Sequence, residues 1–175
     1  MKFPLSHTLF IAIFGFLLLY SYYFFSQKFP NIIESLWGSI KGNIRKFYFI
    51  SIFFCFIAFG FIFFYIFQKN NFTSLQIIQF TTALAIIIFS SLLWMPTSIL
   101  YFYNKSLFLK LLIILILLLV SMGALYLIMI LQSWKETNKN MMTYQNYAFY
   151  GACYFFFQVF ILDFIFWNYA YLYSS

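Results

Sequence analysis

Five long stretches of this chain contain no charged side chain: residues 3–27, 47–68, 70–104, 111–134 and 140–162, the last continuing past a single Asp to residue 175. A helix rises about 1.5 Å per residue, so a hydrocarbon layer of roughly 30 Å needs about 20 apolar residues. Each stretch is long enough to cross once, and the third, at 35 residues, is too short to cross twice with a turn between. Residues 111–131 read LLIILILLLVSMGALYLIMIL, without the apolar–polar alternation of a barrel strand. Continuous apolarity suits a helix, which satisfies its own backbone hydrogen bonds in lipid. The expectation is an all-α integral membrane protein: one multi-pass domain over residues 1–175, a bundle of five transmembrane helices near 5–26, 47–68, 74–103, 108–133 and 142–172.

Composition excludes the other classes. With 65% hydrophobic and 7% charged residues, the chain lacks the groups that hydrate a soluble surface, and disorder needs the opposite balance. The first stretch follows Lys2 but is long, and the bulky YSYYFFSQ after Leu19 offers no Ala-x-Ala-like site, so an uncleaved span is expected. Five crossings place Lys2, Lys69, Lys135 and Lys139 on one side and Lys28, Lys41, Arg45, Lys46, Lys105 and Lys110 on the other. This count leans toward the N-terminus outside and the C-terminus inside. The net charge of +7 then speaks of anionic lipid rather than nucleic acid, because every basic residue lies near the end of a span.

Only the connector 28–46, KFPNIIESLWGSIKGNIRK, has a pattern of its own. Asn31 and Glu34, three residues apart, have the spacing of a capping box. Ile33, Leu36, Trp37, Ile40 and Ile44 recur at helical intervals, which predicts a short interfacial amphipathic helix near 31–41. Gly38 and Gly42 have the spacing that lets two helices approach; the preferred reading is that Gly42 ends this helix.

The 29 Phe and 15 Tyr exceed what interfacial belts need. An aromatic site for a pigment, sterol or quinone is one reading. The preferred one is an AT-rich genome, organellar, protist or viral, which also accounts for nine Lys against one Arg.

Asp163, in QVFILDFIFWNY, is the one acidic residue within an expected span. An ionisable group at that depth costs between about 2.5 and 17 kcal/mol and persists where it meets a partner, a cavity or a pathway. Buried, it should face the polar groups of the third span, such as Gln79, Ser90 and Ser91, with Gln158 on its own helix; at the interface it would be an anchor. Pro96 removes a backbone donor and is expected to kink or end the third span. Ser121, Gly123 and Ala124 interrupt a Leu/Ile helix with small residues, where a neighbouring backbone can approach. A lone His7, unpaired Cys55 and Cys153, and the lack of a glycine-rich phosphate loop or a GxSxG elbow leave no expected metal, cofactor or catalytic set.

Ser90 and Ser91, then Trp94, Met95 and Pro96, a basic hairpin at 104–110 and the aliphatic helix to Leu131 together resemble uncharacterised small multi-pass membrane proteins of large algal viruses and marine protists. The resemblance covers residues 90–131 and implies no activity; separately, the expected setting is either a mitochondrial inner membrane or a viral or host membrane. Two functions remain. The first is a non-catalytic structural or accessory subunit, packed against other membrane subunits or copies of itself. The second is a small oligomeric ion or solute transporter using Asp163 and the polar third span.

Overall fold

The computed structural model describes residues 2–134, 136 and 138–173. Among them there is no strand, and five helices are long and apolar enough to cross a membrane. They are α1 (Leu5–Lys28), α3 (Gly42–Gln68), α4 (Ser74–Tyr103), α5 (Leu107–Ser133) and the run Lys139–Leu172, which begins as α6 (Lys139–Phe156). The short α2 (Pro30–Ser35) lies between the first two spans.

Local chemistry fixes where three of the spans start. Thr73 and Gln76 form a reciprocal capping box at α4, with Gln76 N donating to Thr73 Oγ1 (3.2 Å) and Thr73 N to Gln76 Oε1 (3.0 Å). Ser106 accepts from Leu109 N at α5, and Asn138 from Asn140 N and Met141 N at α6. Each cap satisfies amides that have no partner in the first turn.

The helices form an open arc in the order α1, α4, α5, α6, α3. α1 and α3, at its two ends, share no packed interface, so the concave side faces lipid through the gap between them. Association in lipid gains little from hydrophobicity and depends on close packing, so small residues decide the tight pairs. A Cβ on Gly123 of α5 would lie 2.9 Å from Ile87 Cγ1 of α4, and one on Gly151 of α6 would lie 2.8 Å from the Ala58 carbonyl oxygen of α3. Ser121 Oγ donates to Leu117 O (2.9 Å) and reaches Val159 O (3.2 Å), while Ala124 is fully buried.

Polar contacts tie each end. At one end Lys69 pairs with Glu136, which also accepts from Tyr65 OH (2.6 Å), and Gln145 Nε2 donates to the Leu131 carbonyl (2.6 Å). At the other end Lys110 Nζ donates to Leu172 O (3.1 Å), and Ser39 N to Ala170 O (3.3 Å).

The connector departs from its expected form. The interfacial helix is shorter than 31–41: it runs Pro30–Ser35 and gives way to turns through residue 39. Pro30, whose fixed φ suits the first helical position, starts it, with Phe29 as the N-cap and no capping box. Glu34 instead forms a two-pronged pair with Arg45, whose Nη2 lies 2.7 Å from Glu34 Oε2; that hydrogen bonding holds the Glu34 carboxyl below the usual carboxylate range. Gly38, at φ +51°, turns the chain after α2. Gly42, at φ +58°, does not end that helix but opens α3, which therefore begins five residues before the expected 47. Nor does Pro96 end its helix: α4 passes through it to Tyr103, with Thr97 Oγ1 bonding the Leu93 carbonyl (2.7 Å) beside the proline.

Candidate functional site

The arc encloses a cavity of about 780 Å³, within the size range of small-molecule sites. One flank is the face of α1 carrying Thr8, Ile11, Gly15 and Tyr22; the opposite flank is α3 from Tyr48 to Phe67. Helices α4, α5 and α6 form the back wall. Phe3 lies at one end, and Leu36 and Trp37, from the turn after α2, lie at the other. Thr8 to Tyr22 is about 21 Å of helix rise, so the cavity runs lengthwise through much of the membrane.

Its walls are apolar apart from Thr8 toward the Phe3 end, whose hydroxyl donates to the Pro4 carbonyl, and a polar group at the end beneath Trp37: Tyr22, Tyr48, Ser91, Gln158 and Asp163. A change in helix winding assembles part of this group. Beyond Phe156 the last span continues as a π-helix over Phe157–Trp167, with a further π turn at Tyr169–Tyr173. In an α-helix, residues five apart point about 140° away from each other. The wider i→i+5 winding brings Gln158 and Asp163 onto one face, and Gln158 Nε2 donates to Asp163 Oδ1 at 3.1 Å.

The hydrogen bonds around this pair share one direction. Ser51 Oγ donates to Gln158 Oε1, so Tyr154 OH, 2.9 Å from Ser51 Oγ, is the donor to Ser51. Donation thus runs Tyr154 to Ser51 to Gln158 to Asp163 and ends on a carboxylate, an acceptor-only group. Tyr48 OH donates separately to the Leu162 carbonyl. Asp163 has no ion-pair partner among the described residues: the pairs there are Arg45–Glu34 and Lys69–Glu136. Beside the carboxylate stands an aromatic chain, Tyr22–Trp94 (5.9 Å between ring centroids), Trp94–Trp167 (5.2 Å) and Trp167–Tyr171 (4.8 Å). Tyr22 OH also donates to the Ser91 carbonyl (3.1 Å), fastening α1 to α4.

Of the residues singled out from sequence, the structure joins Asp163 with Gln158 and places Ser91 on the same cavity. Asp163 sits level with Tyr22, about 9 Å of helix rise inside the Lys28 end of α1, and takes its hydrogen bond from its own helix rather than from the third span. Gln79 and Ser90 are outside the lining, and Pro96 is half-buried on α4. Ser121, Gly123 and Ala124 are outside the cavity lining, in the contacts of α5 with α4 and with the π-helical part of the last span. Tyr22, Tyr48, Ser51 and Trp94 were not anticipated. Ser51 and Tyr48 carried a signal, being hydroxyls three residues apart in an otherwise Phe- and Ile-rich run.

Chemically the cavity has two parts: a long apolar chamber and, at one end, a carboxylate with hydroxyl and aromatic neighbours. Among the described residues no three His, Cys, Asp or Glu side chains converge. Against protein-family models, curated proteins and solved structures, the chain gives no match.

Proposed function

We propose that this integral membrane protein is a non-catalytic intramembrane binding protein that takes an elongated amphiphile from the bilayer into its cavity. The observation that carries the reading is the cavity itself: apolar along its length, polar at one end, and flanked by two helices that do not pack on each other. A molecule of the same polarity pattern can enter sideways from lipid without crossing water. A continuous ion path is less well supported, because the polar lining is concentrated at one end, Thr8 toward the other donates to its own backbone, and Gln79 is not part of the lining.

Gly15 supplies the test. It lines the cavity, and a Cβ there meets nothing within 4 Å, so the larger side chain of Gly15→Phe has room to start into the chamber and occupy part of it. Native mass spectrometry of the protein released from lipid nanodiscs should show about one retained amphiphile per chain, lost in Gly15→Phe. Equal lipid retention by both forms would count against the reading.

The accessory-subunit role is a second reading, favoured by α1, whose outer face is exposed and in which Ile11 alone is buried. A partner helix covering that face would appear as a stoichiometric companion on mild extraction.

A further inference from the structure

We infer that the ligand of this cavity carries a single ammonium headgroup on one long alkyl chain, with the Asp163 carboxylate as its counter-ion. The inference rests on the binding role proposed above and adds the chemical class. Three observations lead to it. First, the hydrogen bonds from Tyr154 through Ser51 and Gln158 all donate toward Asp163 and supply only one of its oxygens with a donor. Second, no Lys or Arg lines the cavity, so its walls supply no balancing positive charge. A carboxylate withdrawn from water into an apolar chamber calls for a cation with hydrogen-bond donors, and an alkyl ammonium has both. Third, the rings of Tyr22, Trp94 and Trp167 cluster at the same end, and aromatic faces attract a desolvated cation.

The same features select against the common alternatives. A phosphate or fatty-acid headgroup would meet a like charge with no basic residue to hold it. A neutral alcohol would fit the chamber but leave the carboxylate unbalanced. The apolar run from Gly15 toward Phe3 suits one extended chain.

Hexadecylamine, hexadecanol and hexadecanoic acid separate these cases, because they share a chain and differ in the headgroup. Each is titrated onto the full-length protein in zwitterionic nanodiscs. Occupancy is read by native mass spectrometry, with Gly15→Phe measuring bilayer partitioning alone. The amine should bind at least about tenfold more tightly than the alcohol, as expected for a hydrogen-bonded charge pair, and the acid should bind most weakly. Asp163→Asn keeps an acceptor for Gln158 while removing the charge. It should bring the amine down to the level of the alcohol and leave the alcohol unchanged. Equal binding of amine and alcohol by the native protein, or an amine preference that survives in Asp163→Asn, would overturn the headgroup assignment while the cavity remained a binding site. If neither bound above the Gly15→Phe background, the binding role would fail as well.

Discussion

Gly151→Ala puts the α3–α6 contact under a defined load. The added Cβ would stand 2.8 Å from the Ala58 carbonyl oxygen and 3.3 Å from Ala58 Cα, both backbone atoms that no side-chain rotation can move. Ordinary contact begins near 3.4 Å, so the helices must separate by 0.6 Å, the difference of the two distances. A gap of that size forfeits about a quarter to a half of the dispersion energy of the atoms facing it, and overpacking of this kind costs about 1–3 kcal/mol. For a chain of this length the loss corresponds to roughly 2–12 °C in thermal midpoint. The damage should also reach the site. Ala58 faces Gly151, and Ser51 bonds Gln158 two turns along the same antiparallel pair, so widening at one contact strains the other. Gly60→Ala is the matched control: it lies in α3, its Cβ meets nothing within 4 Å, and it should gain about 0.8–1.0 kcal/mol of helix propensity. Thermal unfolding in detergent, followed by tryptophan fluorescence, compares the two. If Gly151→Ala melted at or above the native midpoint, alongside Gly60→Ala, the close-packing account of this bundle would be wrong.

Lys69 is surrounded by the rings of Tyr65, Phe72 and Trp134 at 5.5–5.9 Å and pairs with Glu136, so Lys69→Met strands a mostly buried carboxylate and should cost about 3–5 kcal/mol. Adding Glu136→Gln should recover much of that loss in the same melt; a double variant no more stable than the single would contradict the pairing. Gly38→Ala sets a left-handed residue and a collision with the Ala170 carbonyl against the turn after α2, and amide exchange at Ser39 should rise at least about tenfold; unchanged protection would refute the docking. The Glu34–Arg45 pair lowers the Glu34 pKa in the folded chain, so its contribution is complete above the unfolded value of about 4.3 and is lost as pH falls through the lower, folded one. Carboxylate NMR should show Glu34 ionised below that reference value, and Arg45→Gln should return it to normal; a normal titration in the native chain would dismiss the pair.

The spans are legible because charge is expensive in hydrocarbon, and a chain that avoids it for 20 or more residues has few other folds. Their neighbours are not legible for a related reason. A helix that is apolar on every face carries no periodic mark of which side meets protein, so the placement of α3 against α6 is unwritten in hydropathy. Small residues are a partial exception: Gly123 stands out in a Leu/Ile helix, while Gly151, which makes the closer approach to backbone, is less conspicuous among Tyr and Ala. Asp163 could be recognised as exceptional, but its partner could not. At 3.6 residues per turn Gln158 points elsewhere, and only the π winding, which no local propensity announces, unites them. In the connector, the sequence pattern reads equally well as one longer helix; two left-handed glycines, at 38 and 42, break it instead.

The lopsided attachment of α1 bears on how the molecule is put together. Four spans bury their small residues against one another, whereas α1 leans on α4 through Phe10 and Phe14 on Phe89 and the bond from Tyr22 to Ser91. α1 is made before the other four spans, yet has little to hold until α4 is in the membrane. During synthesis α1 must wait in lipid until α3 and α4 have been inserted, and α3 waits longer still, because the helix it packs against, α6, comes last. The chamber is complete only when the last span joins α3 to the back wall, and its contents at birth are whatever the bilayer supplies.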